Sequence, residues 1–116
     1  MLLAHQQIDV NQAETRDGAT PLYMASQDGH VEVVKALLTH QQIDVNKART
    51  KYGDTPILIA SANGHEQVVK VLIVDPRVNV NQARATDGAT PLFIASLNRH
   101  VEVVKGYHHF NMSILV

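Results

Sequence analysis

The stretch DGATPLYMASQDGHVEVVK (17–35) returns, nearly unchanged, as DGATPLFIASLNRHVEVVK (87–105). A more divergent version, GDTPILIASANGHEQVVK (53–70), lies between them. The threonines that begin the Thr-Pro-Leu or Thr-Pro-Ile triplets stand at positions 20, 55 and 90, a constant step of 35 residues. A fixed period of this size is typical of stacked repeats, in which each unit buries its apolar face against its neighbours. The chain is therefore predicted to be one elongated stack.

Each repeat predicts two short helices joined by a turn. Thr20 can cap the first helix with its hydroxyl, and Pro21 then occupies the first helical position, where its missing N–H costs nothing. We expect the first helix at about 21–27. The second, at about 31–38, carries its apolar residues on one face at helical spacing. Between them, Gly29 suits a left-handed position that would penalise a Cβ.

The order Gly-x-Thr-Pro-Leu, Ala, Gly-His, Val-Val and finally Asp-Val-Asn resembles the ankyrin repeat, from Leu2 to about Lys105. The resemblance implies an all-α ankyrin-type solenoid of stacked helix-turn-helix repeats with projecting hairpin loops. It also implies that the chain holds another protein and catalyses nothing. The family's histidine after Thr-Pro-Leu is replaced by Tyr23, Leu58 and Phe93. We therefore expect more apolar packing between repeats and no histidine-based hydrogen-bond network.

The C-terminal part departs from the pattern. Arg99 stands where the earlier repeats have Gly29 and Gly64, and a left-handed arginine costs about 1 kcal/mol more than glycine. After Lys105 the repeat stops, and GYHHFNMSILV aligns with nothing upstream, so we expect an unstructured tail. Neither end supplies a polar capping repeat, which favours a fragment of a longer array. The predicted division is a truncated repeat at 1–14, repeats at 15–49 and 50–84, a partial repeat at 85–105, and a divergent tail at 106–116.

Composition excludes several classes of function. Lys and Arg number 10 against 11 Asp and Glu, so bulk charge supports neither nucleic-acid nor membrane-surface binding. The absence of cysteine excludes disulfides and thiolate sites. No apolar run is long enough for a membrane helix, and the start lacks the features of a signal peptide. We expect a cytoplasmic or nuclear protein.

No set of polar residues predicts a catalytic or metal site. Three of the seven histidines recur one per repeat, so stacking spaces them rather than gathers them. The adjacent pair His108 and His109 has no further ligand at metal-binding spacing. One serine also recurs in each repeat, which indicates a small packing residue rather than a nucleophile. We predict no enzyme activity, metal, cofactor or small-molecule substrate.

Positions that differ between repeats are the candidates for partner choice. In the central loop, cations alternate with neutral residues beside Tyr52, which predicts a cationic face for a possibly acidic partner protein. The competing interpretation is that these are only solvated loop charges. Two other roles stay open: a recruitment arm of a larger multidomain protein, and a purely structural spacer. The candidate partner-binding residues are Lys47, Arg49, Lys51, Tyr52 and Arg84 in the loops, and Gln27, Asp28, Asn63 and Asn98 at the ends of the first helices.

Overall fold

The structure, a computed structural model, describes the backbone of residues 8–115 and the side chains of residues 8–110. This part of the chain folds into six helices and has no strand, which confirms the all-α prediction. The helices form three successive helix pairs, called here the first, second and third units. They are α1 (Pro21–Asp28) with α2 (Val31–Leu38), α3 (Pro56–Ala62) with α4 (Glu66–Ile73), and α5 (Pro91–Leu97) with α6 (Val101–Leu115).

The first helix of every unit begins as predicted. In α1 the Thr20 hydroxyl accepts the backbone N–H of Tyr23 at 3.1 Å, and Pro21 follows as the first helical residue. The threonines before α3 and α5 accept the equivalent N–H groups at 3.3 and 3.2 Å. One of the free N–H groups of each helix is thus satisfied by a side chain, which fixes where the helix starts.

The helices stack in two layers. In one layer α1 packs on α3 and α3 on α5, and in the other α2 packs on α4 and α4 on α6. The apolar core lies between the layers and runs through all three units, with Leu22, Ile57 and Leu72 at most 1% exposed. Burying such a side chain contributes roughly 1.5–3 kcal/mol. Each unit therefore depends on its neighbour for its core.

A tight hairpin loop precedes each first helix. The three hairpins span Glu14–Ala19, Arg49–Asp54 and Arg84–Ala89, and each is closed by an N–H to carbonyl bond between its end residues, at 2.9, 2.8 and 2.7 Å. Their glycines all have φ 75°, the left-handed conformation that glycine adopts without strain. Adjacent hairpins also touch, since Lys51 donates its N–H to the Asp17 carbonyl at 3.2 Å. The hairpins consequently form one continuous edge of the stack.

The loops that follow the second helices are joined by asparagines. The Asn11 side chain donates to the Gln42 carbonyl at 2.9 Å and accepts the Asp44 N–H at 2.7 Å. Asn46 repeats the arrangement one unit later, with the Arg77 carbonyl and the Asn79 N–H. We call this pair of bridges the asparagine ladder. It satisfies loop backbone groups that no helix can reach.

An arginine closes the end of α2, which lacks a glycine cap. The Arg77 guanidinium donates to the carbonyls of Leu38 at 2.8 Å and His40 at 3.3 Å. It also forms an ion pair with Asp75 at 2.7 Å, and this bond lowers the pKa of Asp75. A cation at a helix C-terminus satisfies free carbonyls and complements the helix dipole.

The predicted unstructured tail is wrong over the described residues, because α6 continues to Leu115. Val103, Tyr107 and Phe110 extend the apolar face at helical spacing, and Tyr107 is 5% exposed. The Tyr107 and Ser61 hydroxyls share a hydrogen bond of 2.8 Å. Burial raises the pKa of Tyr107 to about 12. Packing on α4 thus carries the helix beyond the point where the repeat pattern stops.

Candidate functional site

The central hairpin, Arg49–Asp54, differs from its neighbours in having a buried carboxylate. Asp54 is 1% exposed, and it stands where the other hairpins have Ala19 and Ala89. Its carboxylate accepts two bonds from the Arg49 guanidinium, at 3.1 and 3.2 Å, and one from the Tyr23 hydroxyl at 2.8 Å. A buried charge is tolerated only when it is paired and hydrogen-bonded in this way.

Tyr23 restores a polar contact at a position expected to be apolar. Its ring is fully buried between the first and second units, and its hydroxyl reaches the hairpin of the next unit. Burial, and then the hydrogen bond to Asp54, raise the pKa of Tyr23 well above its usual range. The hydroxyl therefore stays a donor across the physiological range. The tyrosine ties one hairpin to the preceding helix, whereas Leu58 provides only packing.

A stack of cations and rings continues from this buried pair to the surface. The Arg49 guanidinium carbon lies 5.0 Å from the centroid of the Tyr23 ring and 4.6 Å from that of the Tyr52 ring. The Lys51 ammonium lies 5.3 Å from the Tyr52 centroid. Cations at this distance are attracted to the face of an aromatic ring. Tyr52, although 43% exposed, is thus held in one place by a residue that Asp54 anchors.

The structure divides the predicted loop cations into two groups. Lys47 and Lys51 are exposed and form no ion pair among the described residues. Arg49 is instead partly buried and its charge is balanced by Asp54. Arg84 pairs with Asp87 of its own hairpin at 2.7 Å, and this bond lowers the pKa of Asp87 to about 2. The sequence pattern did not reveal that two of the four cations are already paired.

The asparagines predicted to face a partner also bridge the units. Asn63 donates its side-chain amide to the Gln27 carbonyl at 3.1 Å, and Asn98 donates to the Ala62 carbonyl at 3.0 Å. The same two carbonyls lie 2.9 Å from the Nε2 atoms of His65 and His100. The expectation that the chain has no histidine-based network is therefore wrong, because the turn histidines form one.

The last two predicted residues lie at the end of α1. Asp28 is exposed and Gln27 is half-buried, and the Gln27 amide donates to the Asp28 carboxylate at 3.3 Å. Neither side chain bridges to the next unit, in contrast to Asn63 and Asn98. The end of α1 therefore keeps polar groups at the surface. It lies on a different part of the stack from the central hairpin.

Sequence reasoning missed Asp54 and Tyr23. Both differ from their equivalents in the other units, so the rule that variation marks the interesting positions applied to them as well. What hid them was their surroundings, because an acidic residue in a loop is normally solvated. The useful signal was an aspartate next to the Thr-Pro pair, at a position where both other units have alanine.

Other arrangements of reactive groups are sparse. Among the side chains of residues 8–110, no three histidines or carboxylates come together as a metal ion would require. Within the same residues, Ser61 bonds to Tyr107, Ser96 donates to the Leu92 carbonyl, and the buried Ser26 hydroxyl has no partner. None of the helices in the described part of the chain is long and apolar enough to span a membrane. The absence of a metal or an activity stays a prediction.

A family model described as ankyrin repeats (3 copies) matches residues 1–84 and 49–106. The chain belongs to the ankyrin repeat family. Curated proteins include no sequence that matches it. Ankyrin repeats generally act as protein–protein interaction modules and are typically non-enzymatic. In this ankyrin chain the hairpin edge and the ends of the first helices are the surfaces built from residues that vary between units.

Proposed function

We propose that this ankyrin chain binds an acidic segment of another protein at its central hairpin, through Tyr52 with Lys47 and Lys51. The observation that supports this most is the fixed position of an exposed aromatic ring. Tyr52 has the Arg49 guanidinium 4.6 Å from its centroid and the Lys51 ammonium 5.3 Å away. Tyrosines in such positions often contribute most of the binding energy at protein interfaces.

The buried ion pair prepares this ring for binding. Ordering a flexible side chain at an interface costs about 0.5–1.5 kcal/mol, and a ring that is already held avoids much of that cost. Arg49 is itself held by two bonds to Asp54, so its role is to position Tyr52. The arginine is not proposed to contact the partner.

The exposed lysines supply charge where the neighbouring hairpins supply the opposite sign. The residues equivalent to Tyr52 are Asp17 and Asp87, so the cationic surface is confined to the central hairpin. Local positive charge attracts an acidic segment, raises the rate of association and sets its register. Because exposed charges are screened over about 8 Å at physiological ionic strength, binding should weaken as salt is added.

The test is selection of a displayed peptide library on the wild-type chain, followed by affinity measurement on variants. We expect the recovered peptides to be acidic. Tyr52→Ala should weaken them at least tenfold, mainly through faster dissociation, since about 1.4 kcal/mol corresponds to that factor. Lys47→Ala with Lys51→Ala should slow association and flatten the salt dependence.

Tyr52→Phe is the matched control, because it keeps the ring and its contacts with the two cations. It should bind within about threefold of the wild type. Peptides that bind the wild type and Tyr52→Ala equally well would move the interface to Gln27 and Asp28 at the end of α1. We further propose that the chain has no catalytic activity and acts in the cytoplasm or nucleus. The absence of cysteine suits a reducing compartment.

A further inference from the structure

The turns between paired helices are also contact points between units. In the first unit a Cβ built on Gly29 would lie 2.6 Å from Nδ1 of His65, and in the second unit one on Gly64 would lie 2.6 Å from Nδ1 of His100. Each imidazole therefore rests directly on the glycine of the preceding unit. Its other nitrogen, Nε2, lies 2.9 Å from a carbonyl of that unit. A glycine is required because no side chain fits beneath the ring.

The third unit keeps the turn but changes the residue. Arg99 has φ 63°, close to the 75° of Gly29 and Gly64, and His100 donates its N–H to Ala95 as His65 does to Ala60. The backbone at Arg99 is therefore shaped like a turn that receives a histidine. The Cβ of Arg99 occupies the place where that ring would lie.

The opposite end of the stack carries the matching group. His30 is the equivalent of His65 and His100, and it is exposed, whereas they are half-buried. A second copy that continued the stack would bring its His30 onto Arg99, with Nε2 directed at the Leu97 carbonyl. The C-terminal face around α5 would otherwise invite such a copy, because Leu92, Phe93 and Leu97 are 39%, 56% and 63% exposed.

We infer that Arg99 is a specificity-determining residue that prevents a second copy of this chain from stacking head to tail on the C-terminal face. An incoming His30 has two ways to avoid the Arg99 Cβ, and each loses a contact. Rotation of the ring gives up the hydrogen bond to the Leu97 carbonyl. A shift of the whole copy separates its α1 from α5, which weakens packing of the kind that joins α1 to α3 and α3 to α5.

The experiment compares self-association of three chains by sedimentation over a wide concentration range. Arg99→Gly removes the Cβ and should self-associate at least about tenfold more strongly than the wild type. Arg99→Asn is the matched control. Asparagine tolerates the left-handed conformation but keeps a Cβ, so this variant should associate no more than the wild type.

A second substitution tests the direction of stacking. His30→Ala in the Arg99→Gly chain removes the ring that would rest on residue 99, and it should return association to the wild-type level. Face-to-face pairing of two C-terminal faces would not involve His30. The inference is wrong if Arg99→Gly associates no more than the wild type, if Arg99→Asn associates as strongly as Arg99→Gly, or if His30→Ala has no effect.

Discussion

Helices α3 and α5 have nearly the same sequence pattern and very different surroundings. Ile57 and Leu58 of α3 are at most 1% exposed, whereas the equivalent Leu92 and Phe93 of α5 are 39% and 56% exposed. Both helices begin at a capped threonine followed by proline, so their local structure is the same. The difference arises because a further unit covers α3 and none covers α5 in this structure. In a stack, the energetic role of a residue depends on its position along the array more than on its identity.

The largest effect should come from truncating the covered helix. Leu58→Ala removes a fully buried side chain and should lower the free energy of unfolding by about 3–4 kcal/mol, because it leaves a cavity between units. Phe93→Ala removes a larger side chain from the equivalent position and should cost about 1 kcal/mol or less. Urea unfolding of both variants measures the difference. Equal losses would mean that α5 is covered in solution.

The two aspartate–arginine pairs should differ in the same direction. Asp54→Ala leaves the partly buried Arg49 and the Tyr23 hydroxyl without their acceptor, and it should cost about 3 kcal/mol. Asp87→Ala breaks the exposed pair with Arg84 and should cost no more than about 1 kcal/mol. Thermal or urea unfolding near neutral pH is the measurement. A small loss for Asp54→Ala would show that its desolvation offsets its bonds.

The turns give a smaller effect of opposite sign. Arg99→Gly relieves a left-handed arginine and should stabilise the chain by about 1 kcal/mol. Gly64→Ala places a Cβ at 2.6 Å from the His100 ring and should destabilise it by at least about as much. Both should be measured by unfolding at concentrations where the chains are monomeric. Destabilisation by Arg99→Gly would show that the arginine makes stabilising contacts that outweigh its strain.

The smallest effect concerns pH and compares α4 with α6. Tyr107 takes the place of Leu72, and its pKa of about 12 exceeds the ordinary value of about 10. The unfolded chain therefore loses this proton first, so stability is full below about pH 10 and falls as pH rises towards about 12. The loss attributable to Tyr107 should be about 0.8 kcal/mol near pH 10.5.

Tyr107→Phe should make the stability curve flatter between about pH 9 and 11 than that of the wild type. Tyr23 is also buried with a raised pKa and contributes a similar slope, so some decline should remain in this variant. Tyr52→Phe changes an exposed tyrosine and serves as the control. An identical decline in the Tyr107→Phe chain would mean that this hydroxyl is not buried in solution.

The sequence was sufficient for the elements that recur. Thr20 and Pro21 start a helix and Gly29 ends one through local conformational preferences, and three copies of the same signals placed all the turns. The family resemblance supplied the way in which the units stack. Beyond Lys105 no copy was available for comparison, and the apolar spacing of Val103, Tyr107 and Phe110 was the only sign that α6 continues.

The candidate site was less accessible because it depends on contacts between units. The alternating loop cations correctly drew attention to the central hairpin, but the pairing of Arg49 depends on Asp54, five residues later, and on Tyr23 of the preceding unit. Asn63 and Asn98 likewise bond to carbonyls 36 residues earlier. Composition and spacing describe each loop separately. They do not show which polar groups the stacked neighbour already satisfies.

The asparagine ladder has a consequence for hydrogen exchange. Backbone amides in exposed loops usually exchange their hydrogens quickly, because little must open to admit solvent. The N–H groups of Asp44 and Asn79 are instead bonded, at 2.7 and 2.8 Å, to side chains of the preceding loop. Each can exchange only when its own junction separates. These two loop amides therefore act as independent clocks for the opening of two successive junctions in the stack.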